Sequence, residues 1–125
     1  MSLKKDNFTK FDKKIMQFAI NLADINKGLT GINPSVGCVI VKNKKIVSYG
    51  ITNINGIPHA ETIALKKSKK DNPGSTIYVT LEPCSHYGKT PPCTNAIARS
   101  KIKKVYFSIN DLDKRVFNKS KKKIK

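Results

Sequence analysis

Long apolar runs are missing from this 125-residue chain: none approaches the roughly eighteen residues that a membrane-spanning helix requires. The opening Met1-Ser2-Leu3-Lys4-Lys5-Asp6-Asn7 leads into no apolar stretch of the kind that follows a secretory start, so a cytoplasmic location is expected. Cysteine is scarce. Three thiols cannot all pair, and a framework of two disulfides is impossible. Free thiols or metal thiolates are the remaining uses. Arginine is scarcer still, with 2 residues against 23 lysines, and so are histidine and glutamate, with 2 each. Tryptophan is absent. The length suits one domain, with enough buried surface for a catalytic core without disulfide support.

What is abundant is positive charge. Lysine and arginine together number 25 against 8 acids, a formal charge of +17. Such an excess can signal nucleic acid, an anionic membrane surface or an acidic ligand. The chain also holds 11 Asn and 15 Ile, and Lys, Asn and Ile rising together have the mark of an A- and T-rich coding sequence. Base-edge and bidentate phosphate recognition favours arginine, which is nearly absent. On composition alone the lysines are therefore read as drift, and neither nucleic acid nor membrane is expected as a partner.

Local patterns divide the chain. Thr9 and Asp12 have the spacing of a helix-start capping box, and Phe11, Ile15, Phe18, Leu22 and Ile25 follow as one apolar stripe of a helix ending near Gly28. Val36 to Val41 is a dense β-branched run, expected as a strand covered on both faces. A short turn at Lys42-Asn43-Lys44 leads into a second, antiparallel strand over Lys45 to Ile51. Ala60 to Lys70 is expected as a helix, broken at Asp71-Asn72-Pro73-Gly74, and Ser75 to Leu81 as a third strand. Cys93 to Ser100 is expected as a short helix and Val105 to Ile109 as a fourth strand. This order implies a mixed sheet flanked by helices and built around two crossover units. Residues 1–118 make up the domain. The segment 119–125 holds five lysines and one apolar residue, and is expected to be a disordered tail.

The scarce residue types are not scattered. His59 is followed two residues later by Glu61, and Pro83-Cys84 is followed by Cys93 after eight intervening residues. One imidazole and two thiolates form a soft ligand set suited to zinc with a fourth position open. Cys84 follows a strand directly and Cys93 opens a helix, so both are expected beyond the carboxyl ends of the strands, where such sheets collect ligands. Glu61 is placed to carry a proton between water, a ring nitrogen and a leaving amine. His-x-Glu followed by Pro-Cys-x-x-Cys is the signature of zinc deaminases, with the glutamate as proton carrier, and this chain departs from it only in the longer gap between cysteines. Cys38 sits in mid-strand and is read as core packing. Glu82 is read as a rim acceptor.

These motifs resemble the deaminase domain of bacterial riboflavin biosynthesis, the diaminohydroxyphosphoribosylaminopyrimidine deaminases of the cytidine deaminase-like superfamily. The matching stretches are Asn33-Pro34-Ser35-Val36-Gly37, His59-Ala60-Glu61, and Thr80 through Cys93 with the insertion Ser85 to Pro92. The resemblance implies an α/β fold, a cytidine deaminase-like three-layer α-β-α sandwich with a mixed sheet, here cut short after the fourth strand. It implies Zn2+ on His59, Cys84 and Cys93, with Glu61 catalytic and Asn33, His86, Lys89 and Asp111 at substrate-contacting positions. The implied reaction is hydrolytic deamination of a small phosphorylated pyrimidine, by a homo-oligomer that depends on a separate reductase for the following step. In three places the chain departs from the family pattern. A reductase domain commonly follows this deaminase and none stands in this sequence, which is why a separate reductase, or a split gene product, is expected. Thr52 stands where a histidine often follows the glycine that ends the second strand, so one ring or phosphate contact is lost. The Asp-Pro-x-Pro segment after the fourth strand reads Asp111-Leu112-Asp113-Lys114. The alternatives are a transfer-RNA adenosine or nucleotide deaminase, and a non-catalytic zinc- or RNA-binding module.

Overall fold

The computed structural model describes residues 8–80 and 93–107, the side chains of 93–95 excepted. Helix α1 (Lys10–Ile25) begins as the sequence predicts: the Thr9 hydroxyl accepts from the Asp12 N–H at 3.2 Å, and the Asp12 carboxylate accepts from the Thr9 N–H at 2.8 Å. The remaining elements are β1 (Gly37–Lys42), β2 (Lys45–Ile51), α2 (Ala60–Lys67), a 3-10 turn at Lys69–Asp71, β3 (Thr76–Val79), α3 (Cys93–Arg99) and β4 (Lys104–Phe107).

The sheet order is β2-β1-β3-β4. Strand β1 is antiparallel to both neighbours, and β3 is parallel to β4. It follows that β2, β3 and β4 all point the same way, joined by crossovers through α2 and α3. These are the two expected crossover units. Strands β1 and β2 meet in a two-residue turn whose central residues, Asn43 and Lys44, both have positive φ (53° and 62°), the mirror-image turn that matches strand twist.

Strand β1 is buried along both faces, as its unbroken β-branched run requires. Val39 and Val41, with Tyr78, pack under Ile15, Met16, Ala19 and Leu22 of α1. Cys38 and Ile40, with Ile77 and Val79, pack under Ala60, Ala64 and Leu65 of α2 and Ile97 of α3. The result is the three-layer α-β-α arrangement with a mixed sheet.

Two details differ from the sequence expectation. The buried stripe of α1 runs through Ile15, Ala19 and Leu22, while Ile25 is 62% exposed. The helix backbone lies so close to β1 that a Cβ on Gly37 would sit 2.0 Å from the Ala19 oxygen, and this contact selects the small residue for the centre of the interface. Helix α2 ends at Lys67, three residues early, because the Ser68 hydroxyl bonds back to the Ala64 carbonyl at 3.1 Å and Asn72 donates to the Leu65 carbonyl at 2.9 Å. Leu81, Ser108, Ile109 and the lysine-rich segment 119–125 lie outside the described residues. No helix among the described residues is long and apolar enough to cross a membrane.

Candidate active site

The carboxyl ends of β2 and β3 and the amino end of β1 share one edge of the sheet, with Gly37 opposite Ile51 and Cys38 opposite Val79. Helices α2 and α3 both begin at this edge. His59 is the N-cap of α2, in extended conformation at φ −74° and ψ 158°, and its carbonyl accepts from the Ile63 N–H at 3.1 Å. Its imidazole makes no capping bond to the helix. Glu61 stands in the first turn of α2 and is 3% exposed.

That burial removes the simplest reading of Glu61, a solvated charge on a helix. Removal from water pushes its carboxyl up to about 7, opposed in part by a hydrogen bond from its own backbone. A carboxyl in this range can both take and return a proton near neutral pH. Cys38 lies on β1 against the same helix, fully buried, and its thiol is held well above its usual range by burial and then by the Glu61 charge. It stays a protonated core residue.

Helix α2 is pressed onto the sheet by residues that the sequence reading passed over. A Cβ on Gly50 would meet the Ala60 oxygen at 2.3 Å, so β2 runs almost backbone to backbone with the first turn of α2. The Ser48 hydroxyl donates to the Ala64 carbonyl at 2.7 Å, pinning the next turn. A glycine inside a strand is the available sequence signal for such an approach; Ser48 carries none.

Asn33 is fixed from the other side of the edge. Its side-chain amide donates to the Gly56 carbonyl at 3.1 Å, and its backbone carbonyl accepts from the Thr30 hydroxyl. Gly56 has φ 88°, and a Cβ there would lie 2.6 Å from the Thr30 oxygen and 2.9 Å from Asn33 Nδ2. Only glycine suits that position. Beside Asn33 opens a cleft of about 610 Å³ lined by Ala23, Asp24, Lys27, Ser35 and Thr80 among others, a volume ordinary for a small-molecule site. His59 and Glu61 are not in its walls.

Thr52 is 1% exposed, and its hydroxyl accepts from the Val36 N–H at 2.9 Å. It tethers β2 to the start of β1. Thr80 does the same for β3, exchanging bonds with Gly37 at 3.0 and 3.1 Å. Cys84, His86, Lys89 and Asp111 lie outside the described residues, as does the Cys93 side chain, though the backbone places Cys93 at the first position of α3. Among the described residues no three His, Cys, Asp or Glu side chains come together. The structure therefore brings Asn33, His59 and Glu61, with the start of α3, to one end of the sheet.

Comparison with known proteins bears on the same residues. The model of the cytidine and deoxycytidylate deaminase zinc-binding region matches residues 9–109. The chain is 50% identical over 102 residues to the riboflavin biosynthesis protein RibD of Aquifex aeolicus, covering 82% of this chain and 29% of that protein. It is 48% identical over 108 residues to the diaminohydroxyphosphoribosylamino-pyrimidine deaminase of Buchnera aphidicola, covering 86% of this chain and 74% of that one. Among solved structures it resembles Acinetobacter baumannii RibD, with TM-score 0.73 and 41% identity over 90% of this chain and 34% of the other. The chain thus spans about a third or less of the length of two of these relatives and about three-quarters of the Buchnera protein.

Proposed function

The chain belongs to the cytidine and deoxycytidylate deaminase family, in its diaminohydroxyphosphoribosylaminopyrimidine deaminase branch, and from that membership we propose that it is a zinc-dependent hydrolytic deaminase of riboflavin biosynthesis. Its substrate on this reading is 2,5-diamino-6-(5-phosphoribosylamino)pyrimidin-4-one. Water adds its oxygen to the ring carbon that bears the 2-amino group, the carbon–nitrogen bond breaks, and ammonia leaves with a carbonyl in its place.

The observation that carries this reading is the buried carboxyl of Glu61, two residues from His59 at the ligand-collecting edge of the sheet. The donor set fits zinc: one imidazole at the N-cap of α2, one thiol on the first residue of α3, which packs against α2, and one on Cys84, five residues beyond β3. His59, Cys84 and Cys93 would hold the zinc, which would supply the Lewis acidity that makes a water nucleophilic near neutral pH. Glu61 takes the proton of the attacking water, passes it to the ring nitrogen, and delivers a second to the departing amine.

Asn33, with its amide end committed to Gly56, keeps an oxygen for a donor on the pyrimidine. His86, Lys89 and Asp111 serve the ring and the ribose phosphate, Lys89 as a point charge. Thr52 is buried with its hydroxyl already bonded, so it replaces none of the contacts a histidine would make there. The domain occupies 1–118, acts in the cytoplasm as a homo-oligomer, and hands its product to a reductase. Ammonia release is measured with the diaminopyrimidine phosphate and with transfer RNA in parallel; turnover on the RNA alone would overturn the assignment.

A further inference from the structure

Composition explains how many lysines the chain has but not where they lie. Lys42 pairs with Lys45, Val41 with Thr76, and Thr76 with Lys104, so one edge of the sheet runs straight across all four strands. The segments 101–104 and 74–75 join there, through Gly74 N–H to the Lys101 carbonyl at 3.0 Å and Lys103 N–H to the Ser75 carbonyl at 2.8 Å. Helix α1 begins there, with the Lys44 ammonium 5.6 Å from the centre of the Phe11 ring. Helix α2 ends there. The four segments 10–14, 42–45, 66–70 and 101–104 carry thirteen lysines, of which Lys67 turns its ammonium away to the Tyr49 carbonyl at 3.3 Å. Among the described residues the acids beside them are Asp71 and Asp12, the latter buried with its carboxylate on the Tyr78 hydroxyl at 2.6 Å.

The opposite edge, which holds Glu61 and Asn33, differs sharply. Its segments 24–35 and 52–59 carry one lysine, Lys27, and one acid, Asp24. Drift towards A- and T-rich codons acts on exposed positions at both ends, and at this one it has left isoleucines and asparagines such as Ile32, Ile54, Asn53 and Asn55. A phosphorylated substrate would not select against lysine near it. Among the described residues, 13 of 14 lysines fall in those four segments, and drift alone leaves that segregation unexplained.

We propose that the pole of the sheet opposite Glu61, formed by the β1–β2 turn, the end of α2 and Lys101 to Lys104, binds the phosphodiester backbone of nucleic acid without reading its sequence. Lysine suits this task as a mobile point charge, and the shortage of arginine matches the absence of base-edge readout. A membrane is the weaker fit, since among the described residues Leu29, Ile32, Ile54 and Ile57 are exposed at the other pole and Ile46 alone, 46% exposed beside Lys45, is an exposed large aliphatic at this one.

The test uses the whole chain and two labelled single strands, an oligouridine and an oligothymidine, followed by fluorescence anisotropy across a salt series. Contact with about five phosphates gives a log–log slope near −3.5, so affinity falls about a hundredfold between about 50 and 200 mM salt. Equal binding of the two strands assigns the phosphate as the feature read, and preference for oligouridine assigns RNA as the source. Changing Lys66, Lys69, Lys101 and Lys103 to Gln removes four charges from the pole. The matched control, Lys27→Glu with Leu29→Glu and Ile54→Glu, changes the net charge by the same amount at the other end. The pole variant should lose at least tenfold in affinity at low salt and show a shallower slope, with the control within about threefold of the parent. Should the quadruple variant lose its circular-dichroism spectrum, the pair Lys101→Gln and Lys103→Gln should still flatten the slope by one to two. Equal weakening by pole and control variants, or no binding at about 50 mM salt, overturns the proposal. So does pole-dependent binding to phosphatidylserine–phosphatidylcholine vesicles with none to either strand.

Discussion

Replacing Gly50 by alanine tests how closely the site depends on the seating of α2. The added Cβ would meet three atoms of one helix: the Ala60 oxygen at 2.3 Å, the Ala64 nitrogen at 3.0 Å and the Ile63 Cβ at 3.1 Å. The nearest is a backbone oxygen, so no rotamer change relieves it. An ordinary contact begins at 3.4 Å, and the first turn of α2 must therefore withdraw from β2 by about 1 Å. Overpacking of this kind costs about 1–3 kcal/mol, and the Ser48 bond to Ala64, 2.7 Å long, resists the shift. His59 and Glu61 flank Ala60 and move with it. A displacement of about 1 Å at catalytic groups lowers the rate by about a hundredfold. Ile15→Ala is the control. It hollows the α1 face at a cost of about 2–5 kcal/mol and leaves α2 in place. Both proteins are assayed for ammonia release at a temperature where circular dichroism shows each fully folded. We expect kcat/KM to fall about tenfold to a hundredfold in Gly50→Ala and to stay near the parent value in Ile15→Ala. Full activity in the glycine variant, or an equal loss in the control, would refute the reasoning that this contact sets the position of Glu61.

Glu61→Gln should retain its metal and its fold while turnover drops about a hundred to ten-thousandfold, since one carboxyl serves both proton transfers; a residual rate above about a tenth would turn attention to Glu82, the only other glutamate. Cys84→Ser should abolish stoichiometric zinc in elemental analysis of the purified protein, and an unchanged single zinc per chain would show that the ligand set is wrong. Tyr78→Phe removes the buried bond to Asp12 of 2.6 Å, and with a charged acceptor this should lower stability by about 1.5–3 kcal/mol in denaturant titration. Activity in that variant should hold, because α1 and the Asp12 cap lie across the sheet from α2.

Much of the architecture was legible because it is decided by neighbours in the chain. The Thr9–Asp12 cap, the Lys45–Ile51 strand, the turn at Asn43 and Lys44, and the stop of α1 before Gly28 all follow from local hydrogen bonding and backbone freedom. Element order then implied two crossovers and a mixed sheet, which the strand pairing bears out. The chemistry of the site was legible for a different reason. In a chain with 2 His, 2 Glu and 3 Cys, the pairing of His59 with Glu61 and of Cys84 with Cys93 stands out against a lysine-rich background.

Other features depended on which surfaces meet. Periodicity admits either Ile25 or Ala19 at the α1 interface, and the close passage of Gly37 beneath the helix chose Ala19. Asp12 reads as a cap, but packing also buries it against Tyr78, 66 residues away. The same sequence allows Glu61 to be a solvated charge. Burial under α2, which Gly50 and Ser48 let settle onto β2, pushes its carboxyl up to about 7. Nor does a count of lysines show that, among the described residues, the segments richest in them meet at the pole away from the site, since that follows from strand direction and register. By itself the sequence determined what short-range forces can decide: caps, turns, strand runs and the residue types available for chemistry. Burial, pKa and the distribution of charge were left to the tertiary structure, because each depends on distances between segments remote in the chain.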